Sequence, residues 1–257
     1  MEISVSFCMV AHRTLSIVYI IVCFSSLTLC TSNFYVALDG LPNGNCTAAE
    51  PYASLCDVFA IVSLPDSPFD DVDIFFDGGT YEGADNIEVE FPTNRNSYSF
   101  IKWNNNNTEP LLFNGNDTQT CFTPSASFII INATINDCRT AVYVPAYFDL
   151  TLTNVQINAP MEKELIGVSA SNLNALSIES CTFNGTSIAA TVNVLVIHDS
   201  TFLNSDHSTI TASGGPASWV LQSSEFVVDS HYNFKIIADS KSILINDCYF
   251  NQPLEVN

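Results

Sequence analysis

The sequence predicts an all-β solenoid, in which short parallel strands stack coil upon coil. An eight-residue pattern returns six times, and its last residues fall 19 to 26 residues apart. Large apolar residues occupy its first and third positions in every copy. The copies span residues 128–135, 150–157, 176–183, 195–202, 219–226 and 243–250. A core of constant length with spacers of variable length is typical of a solenoid.

Each copy predicts a strand, a corner and a second strand. Apolar residues alternate with other residues at the start, which is the period of a strand. The fifth position carries residues that bend a chain and hydrogen-bond neighbouring backbone: Asn132, Asn154, Ser180, Asp199, Ser223 and Asp247. The eighth position is always Ile or Phe, so the second strand points inward again. Stacking at about 4.8 Å per coil predicts one interior column of four rings, namely Phe183, Phe202, Phe226 and Phe250.

These copies resemble coils of the pectin lyase-like family, which often read LxIxNCTF. The amino-terminal part is similar as well, with a strand at 34–37, a turn at 39–45, a short helix at 58–64 and a strand at 72–76 entering a GTYxG turn. The resemblance covers about residues 33–257. It implies a right-handed parallel β-helix with an N-terminal cap that contains a short helix. It implies no particular activity, because this scaffold carries lyases, hydrolases, adhesins and inert cell-surface modules.

Three segments are expected along the chain. Residues 1–32 are predicted to be a secretory signal peptide, since His12 and Arg13 precede a mostly apolar run at 15–30. Residues 33–83 are expected to form the N-terminal cap and first coil, and residues 84–257 the remaining coils of one continuous domain. The protein is therefore expected to be secreted and extracellular. The alternative is a chain tethered to a membrane by an uncleaved N-terminal segment.

Further strands are expected outside the copies. Early, irregular ones are predicted at 87–91, 98–103 and 111–113, and connecting ones at 141–144, 165–170, 188–192, 209–212 and 234–237. No second apolar segment is apparent after Phe250. Three alternatives stay open for this C-terminal end: residues 251–257 fold back over it, it self-associates with another molecule, or the chain is a shortened member of a longer, membrane-anchored family.

The charge of the chain limits its partners. The formal net charge is −20 at pH 7, with 27 acidic and seven basic residues. Phosphate contacts require clustered Lys and Arg. We therefore expect no binding of nucleic acid or anionic lipid.

The cysteines are consistent with an oxidising compartment. A cap disulfide is predicted between Cys46 and Cys56, which bracket a helix-sized spacer. A bond between Cys121 and Cys138 is left open. Cys181 and Cys248 occupy one position in copies three coils apart, hence about 14 Å, and a disulfide needs Cα atoms within about 7 Å. They are expected to be unpaired thiols in an interior column.

Five sequons are acceptors for N-glycosylation if the chain enters a eukaryotic secretory route. We expect modification at Asn45, Asn106, Asn116 and Asn184. Asn132 is the least favoured, because its side chain is expected to form part of a corner ladder.

No catalytic residue and no cofactor is predicted. The motifs of pectate lyases and of hydrolases with this fold are absent, and Arg139 has no second basic residue in neighbouring copies. A metal site is not expected either; the weak calcium candidates are Asp70, Asp71 and Asp73, in the densest group of acids.

Since no catalytic or metal site is predicted, the function is expected to depend on the outer surface of the solenoid. Ile129, Val196, Val220 and Leu244 occupy the nominally outward second position of their copies and would form an interface if uncovered. We expect a structural or adhesive module that binds an extracellular glycan or protein without catalysis. The alternatives are a divergent polysaccharide lyase or glycoside hydrolase of the same fold, and a remnant gene product lacking its membrane anchor.

Overall fold

The computed structural model is an all-β parallel solenoid. It describes residues 33–42, 44–45, 47–64, 69–93, 95–103, 107–159, 165–205, 209–212, 218–228, 235–237, 242–252 and 255–256. Within these ranges there are one helix, α1, at Leu55–Val62, and eighteen strands. The strands are β1 Asn33–Leu41, β2 Asp71–Phe76, β3 Gly79–Glu82, β4 Ser97–Lys102, β5 Leu111–Phe122, β6 Ser127–Val144, β7 Asp149–Asn158, β8 Leu165–Glu179, β9 Thr182–Asn184, β10 Thr186–His198, β11 Thr201–Ser205, β12 Thr209–Ala212, β13 Ser218–Gln222, β14 Glu225–Val228, β15 Lys235–Ile237, β16 Ser242–Asn246, β17 Tyr249–Phe250 and β18 Glu255–Val256.

The six sequence copies stack in register. Leu176 pairs with Leu150 on one side and with Leu195 on the other. Phe183 likewise pairs with Ile157 and with Phe202. Every paired position therefore corresponds to the same position of the eight-residue pattern, although the spacers between copies differ in length. The predicted solenoid register is confirmed.

Each regular coil contributes to three faces, which we number in chain order. The first four or five residues of a copy lie on face one, the residues after the corner lie on face two, and the connecting strand lies on face three. On face three, the start of β8 pairs with the end of β6 and the start of β10. β12, β15 and β18 continue that face in parallel.

Side chains alternate between the interior and the surface on these faces. In β7 the inward residues Leu150, Leu152, Val155 and Ile157 are buried. Burial of each such apolar side chain stabilises the fold by about 1.5–3 kcal/mol. The largest part of the stabilisation therefore comes from a continuous core between the three faces, as expected for a stack of coils that cannot bury an apolar side alone.

The four predicted phenylalanine rings form one column. The ring centroids of Phe183 and Phe202 are 4.7 Å apart, those of Phe202 and Phe226 are 4.9 Å apart, and those of Phe226 and Phe250 are 4.7 Å apart. Their planes are inclined by only 12°, 7° and 4°. Equal spacing follows because one side chain at the same rotamer is repeated at each coil.

The aromatic core of the early coils is arranged differently. There Phe100 contacts Phe113, Phe122 and Phe128 with centroid distances of 4.9–6.0 Å, and the rings of Phe122 and Phe128 meet it edge to face. Edge-to-face contact brings the positive ring edge against the negative ring face. The irregular early coils thus fill their interior with rings from several faces instead of one repeated column.

The helix begins three residues before the prediction. Ser54 is its N-cap, and the Ser54 hydroxyl oxygen accepts a 3.2 Å hydrogen bond from the backbone N–H of Asp57. Capping by a serine hydroxyl stabilises a helix by about 1 kcal/mol. Phe59 packs against Phe91 and Tyr98 at centroid distances of 4.9 and 5.5 Å. The helix therefore packs onto the core of the neighbouring coils, as expected for a cap.

One predicted strand is wrong. Residues 87–91 are not a strand, because Glu88 has a φ of 61° in the left-handed region, which interrupts an extended chain. Ile87 and Phe91 are nevertheless buried in the core. Their apolar character reflects burial of an irregular segment and not a strand.

The C-terminal part bears on the alternatives that the sequence left open. Glu255–Val256 pairs in parallel with Lys235–Ile237, so this segment continues face three instead of folding back over the preceding coil. In the last coil Ile245, at an inward position, is 39% exposed. Residues 1–32, which carry the predicted signal peptide, lie outside the described residues.

Candidate ligand-binding groove

The corners of the six copies share one backbone conformation. Their fifth residues all have φ between 48° and 57°, in the left-handed region: Asn132, Asn154, Ser180, Asp199, Ser223 and Asp247. Asn and Asp tolerate this conformation better than most residues. Their side chains lie at the surface of the corner, and the Asn154 Nδ2 donates a 2.7 Å hydrogen bond to the Asn132 Oδ1. The predicted corner column is therefore present and is partly joined by side-chain amides.

The sixth residues of the copies face the interior and join successive coils. The Ser200 hydroxyl donates to the carbonyl of His198 at 2.8 Å and accepts from the backbone N–H of Cys181 at 3.1 Å. The Ser224 hydroxyl does the same one coil later, with Gln222 and Ser200 at 2.7 and 3.2 Å. These side chains supply partners for buried backbone groups, which would otherwise destabilise the fold. The corner is thereby held rigidly at the position where face one meets face two.

Cys181 is the sixth residue of its copy, like Ser200 and Ser224, and its thiol is buried. Its Sγ contacts the carbonyl of Glu179 at 3.2 Å and the backbone N–H of Val155 at 3.5 Å. Burial raises the pKa of Cys181 to about 11. The thiol is therefore neutral at physiological pH. Cys181 and Cys248 are both unpaired, as predicted.

A groove runs along the outside of the corners and the adjoining strands of face two. Its volume is about 580 Å³. It extends over four coils and is lined mainly by hydroxyl and amide side chains: Asn132, Thr134, Asn154, Gln156, Ser180 and Thr182. Lys102 lies at its first coil, where the Lys102 Nζ donates to the carbonyl of Asn107 at 3.0 Å. We call this feature the corner groove.

Two straight rows of polar side chains border the corner groove. One row is the corner row of Asn132, Asn154 and Ser180. The other is the strand row of Thr134, Gln156 and Thr182, which are register partners on face two. Because parallel strands are spaced by about 4.8 Å, each row offers one polar group per coil at that interval over three of the four coils. At the first coil the register partner of Thr134 is Leu112.

A third row of amides adjoins the groove on face two. Asn114, Asn136, Asn158 and Asn184 are successive register partners. The Asn158 Nδ2 donates to the Asn136 Oδ1 at 2.9 Å, and the Gln156 Nε2 donates to the Asn158 Oδ1 at 3.0 Å. An amide carries two N–H donors and two acceptor positions, so these bonds use only part of its capacity.

This amide row was missed in the sequence. Its signal is the residue directly after each copy, which is Asn at 136, 158, 184 and 251. The eight-residue repeat was defined by its apolar residues. The asparagines follow the last of these residues and therefore fall just outside the repeat.

The groove is close to neutral, which distinguishes it from the chain as a whole. Among the lining residues within the described ranges the only charged one is Lys102, although the whole chain has a net charge of −20. Glu82 lies beside the first coil of the amide row, where its Oε2 accepts from Asn114, a member of the row, and from Asn116.

The predicted calcium candidates are not brought together. Asp71 and Asp73 lie on the outer side of β2, where alternate residues are about 6.6 Å apart, and the Asp71 Oδ1 accepts from the Ser97 hydroxyl at 2.7 Å. Within the described ranges, no group of three or more His, Cys, Asp or Glu is placed to hold a metal ion. Asp70, Asp71 and Asp73 therefore belong to no such group in the described part of the chain.

The disulfide pattern requires one correction. Cys121 and Cys138 form a disulfide with a Cα–Cα distance of 5.7 Å, which the sequence left open. Cys56 is a free, exposed thiol on the first turn of α1, so the predicted bond to Cys46 is not present in the structure. Cys46 itself lies outside the described residues. Closeness in sequence does not set the Cα distance and Cβ direction that a disulfide requires.

The sequons fall in different environments. Asn45 is exposed, and its Oδ1 accepts a 2.5 Å hydrogen bond from the Thr47 hydroxyl. Asn116 is exposed with a φ of 49°, and its Nδ2 donates to Glu82. Asn184 is half-buried in the amide row, and Asn106 lies outside the described part of the chain. Glycosylation at these positions stays a prediction.

Two apolar surfaces lie on face one. Val196, Val220 and Leu244 are successive register partners at the outward position, and Leu244 is 58% exposed. Ile129 does not join them, because Thr151 and Ser177 intervene in the same row. At the other end, Tyr35 contacts Phe75 and Trp103, each at a centroid distance of 5.2 Å. All three of these rings are half-buried.

Comparisons with known proteins identify no relative: no family model, no curated protein and no solved structure matches the chain. No helix in the described ranges has the length and apolar character needed to cross a membrane.

Proposed function

We propose that the protein is a secreted or cell-surface β-solenoid with a structural or adhesive role, and that it binds an extracellular glycan in the corner groove without catalysis. We further propose that it is a divergent pectin lyase-like β-helix. The repeated left-handed corner residue and the three faces per coil support this second point, because the resemblance seen in the copies rests on the same positions.

A single observation supports glycan binding most strongly: the corner groove is rich in hydroxyl and amide groups and poor in charge. Its described lining includes three amides and four hydroxyls, from Asn132, Asn154, Gln156, Thr108, Thr134, Ser180 and Thr182. Such groups exchange hydrogen bonds with sugar hydroxyls in both directions, since each donates and accepts. Polar side chains fixed on strands also lose little conformational entropy when a ligand binds.

The non-catalytic part of the proposal is supported by the distribution of acids. A retaining or inverting glycosidase uses two carboxyl groups that face one substrate position. In the part of the chain that the structure describes, the residues that line the corner groove include no Asp or Glu. Arg139, the isolated base noted in the sequence, lies 3.6 Å from Asp117 in an ion pair outside the groove.

The test is binding of the purified, secreted protein to a glycan array, followed by incubation of bound glycans to detect cleavage. We expect binding without chain cleavage. Gln156→Ala should weaken binding, whereas Gln222→Ala, on the outer side of face one and outside the groove, should not. Cleavage that depends on an Asp would overturn the non-catalytic role and favour a lyase or hydrolase. Binding to extracellular protein alone would overturn the glycan assignment.

A further inference from the structure

The two rows of the corner groove define the shape of ligand that fits them. The corner row and the strand row run parallel to the solenoid axis. Each coil contributes one residue to the corner row and, two positions later in the sequence, one residue to the strand row. Asn132 and Thr134, Asn154 and Gln156, and Ser180 and Thr182 are the three pairs. A ligand lying along the axis would therefore meet two straight lines of polar groups, one along each of its edges.

An extended β-1,4-linked hexopyranose chain has this shape. It is a flat ribbon that carries equatorial hydroxyls along both edges, and its advance per sugar is close to the strand spacing of about 4.8 Å. An α-1,4-linked glucan coils, so its hydroxyls do not stay opposite two straight rows. The geometry of the groove thus distinguishes between linkages that have the same composition.

Charge selects among the straight chains. The lining residues that the structure describes include one cation, Lys102, and no carboxylate, which is compatible with an uncharged sugar. A polyuronate would instead approach a protein with a net charge of −20, and long-range repulsion would slow its association and weaken its binding. The site is therefore suited to an uncharged polymer.

We infer that the corner groove binds a linear, neutral, β-1,4-linked polysaccharide parallel to the solenoid axis, with one sugar per coil over four coils. This inference rests on the proposed glycan-binding function. Lys102 marks the first of the four coils, and Ser180 and Thr182 mark the last.

The decisive measurement is calorimetric titration of the full secreted protein with cello-oligosaccharides of two to six sugars. Affinity should rise up to the tetrasaccharide and then stay constant, because a fifth sugar extends beyond the lining residues. Malto-oligosaccharides and oligogalacturonates of the same lengths should bind at least tenfold more weakly. A plateau at two sugars would mean that the chain crosses the groove, and would overturn the inferred orientation.

A matched pair of variants tests the position of the ligand. Thr182 lines the groove, while its register partner Thr201 lies one coil further and outside it. Thr182→Val should lower the affinity for cellotetraose about fivefold, the value of one hydrogen bond, and Thr201→Val should leave it unchanged. Circular dichroism and thermal melting establish that both variants fold.

The outcomes separate the two claims. Preference for malto-oligosaccharides or oligogalacturonates would overturn this inference and leave glycan binding intact. Equal effects of the two threonine variants would place the ligand elsewhere on the surface and overturn the assignment to this groove. Absence of binding to all three series and to the glycan array would overturn the inference together with the proposed function.

Discussion

The backbone N–H of Cys181 donates a hydrogen bond of 3.1 Å to the hydroxyl oxygen of Ser200, which holds the same position one coil further along. The same hydroxyl donates to the carbonyl of His198. Ser200 is almost fully buried, so no solvent can replace it. One side chain thus bonds backbone groups of two coils: the buried N–H of Cys181 and the carbonyl of His198, which also accepts from the N–H of Ser180.

Ser200→Ala should lower the free energy of unfolding by about 1–3 kcal/mol, since it leaves the buried N–H of Cys181 without this partner. Ser200→Cys should lower it less, because cysteine stands at this position in the copies that contain Cys181 and Cys248. Urea denaturation followed by circular dichroism measures both. Equal losses for the two variants would show that a cysteine sulfur does not take over the hydrogen bonds of the Ser200 hydroxyl.

Phe202→Ala should be among the most destabilising substitutions in the ring column. Phe202 is fully buried between the rings of Phe183 and Phe226, so its removal opens a cavity in the core. We expect a loss of about 3–5 kcal/mol. Phe250→Ala should lower the free energy of unfolding by roughly half as much, because this ring is only half-buried and stacks on one side. The comparison requires the same denaturation assay, and a larger loss for Phe250 would contradict the stacking order.

The double substitution Cys121→Ser with Cys138→Ser should destabilise the protein by roughly 3 kcal/mol, the value expected for a loop of this size. The sequence separation of the two cysteines is 17. The matched control is Cys56→Ser, which should have no effect because this thiol is exposed and unpaired. Peptide mapping by mass spectrometry under non-reducing conditions checks the pairing, and a Cys46–Cys56 peptide would refute the free state of Cys56.

Stability should fall as the pH rises above about 9. Burial raises the pKa of Cys181 from its ordinary value of 9.0 to about 11. Between these values the unfolded thiol loses its proton while the folded thiol keeps it, so the unfolded state binds fewer protons and the free energy of unfolding decreases with pH. The loss is complete once the pH exceeds the folded pKa.

Burial also raises the pKa of Tyr81 and Tyr98, which adds to the alkaline loss above pH 10. Thermal melts from pH 7 to 10.5 measure the slope. Cys181→Ala should flatten it between pH 9 and 10, since the tyrosines titrate later. An unchanged slope in this variant would remove Cys181 as the cause.

The sequence predicted the structure best at positions where the same residue type is required in every coil. Apolar residues at fixed positions predicted the strands, and equal core length predicted the register of Phe183 with Phe202. The corner was predictable because few residue types tolerate positive φ, and Asn, Ser or Asp recurs there. These features are local and repeated six times, so a chance pattern is improbable.

Features that depend on a single tertiary environment could not be predicted in the same way. The segment 87–91 is apolar because it covers the core, yet Glu88 interrupts the extended chain. Cys46 and Cys56 are near in sequence, but Cys56 points to solvent from α1. The corner groove escaped notice because it is formed by side chains from four coils, and none of them is distinctive on its own.

The register of the copies is independent of the distance between them along the chain. Residues 157 and 183 are 26 apart and residues 183 and 202 are 19 apart, yet both pairs of side chains meet one coil away. The segments between copies can therefore gain or lose residues without moving the groove. In evolution such a protein could acquire new surface loops while its binding face stayed in place, because the two are encoded in separate parts of each repeat.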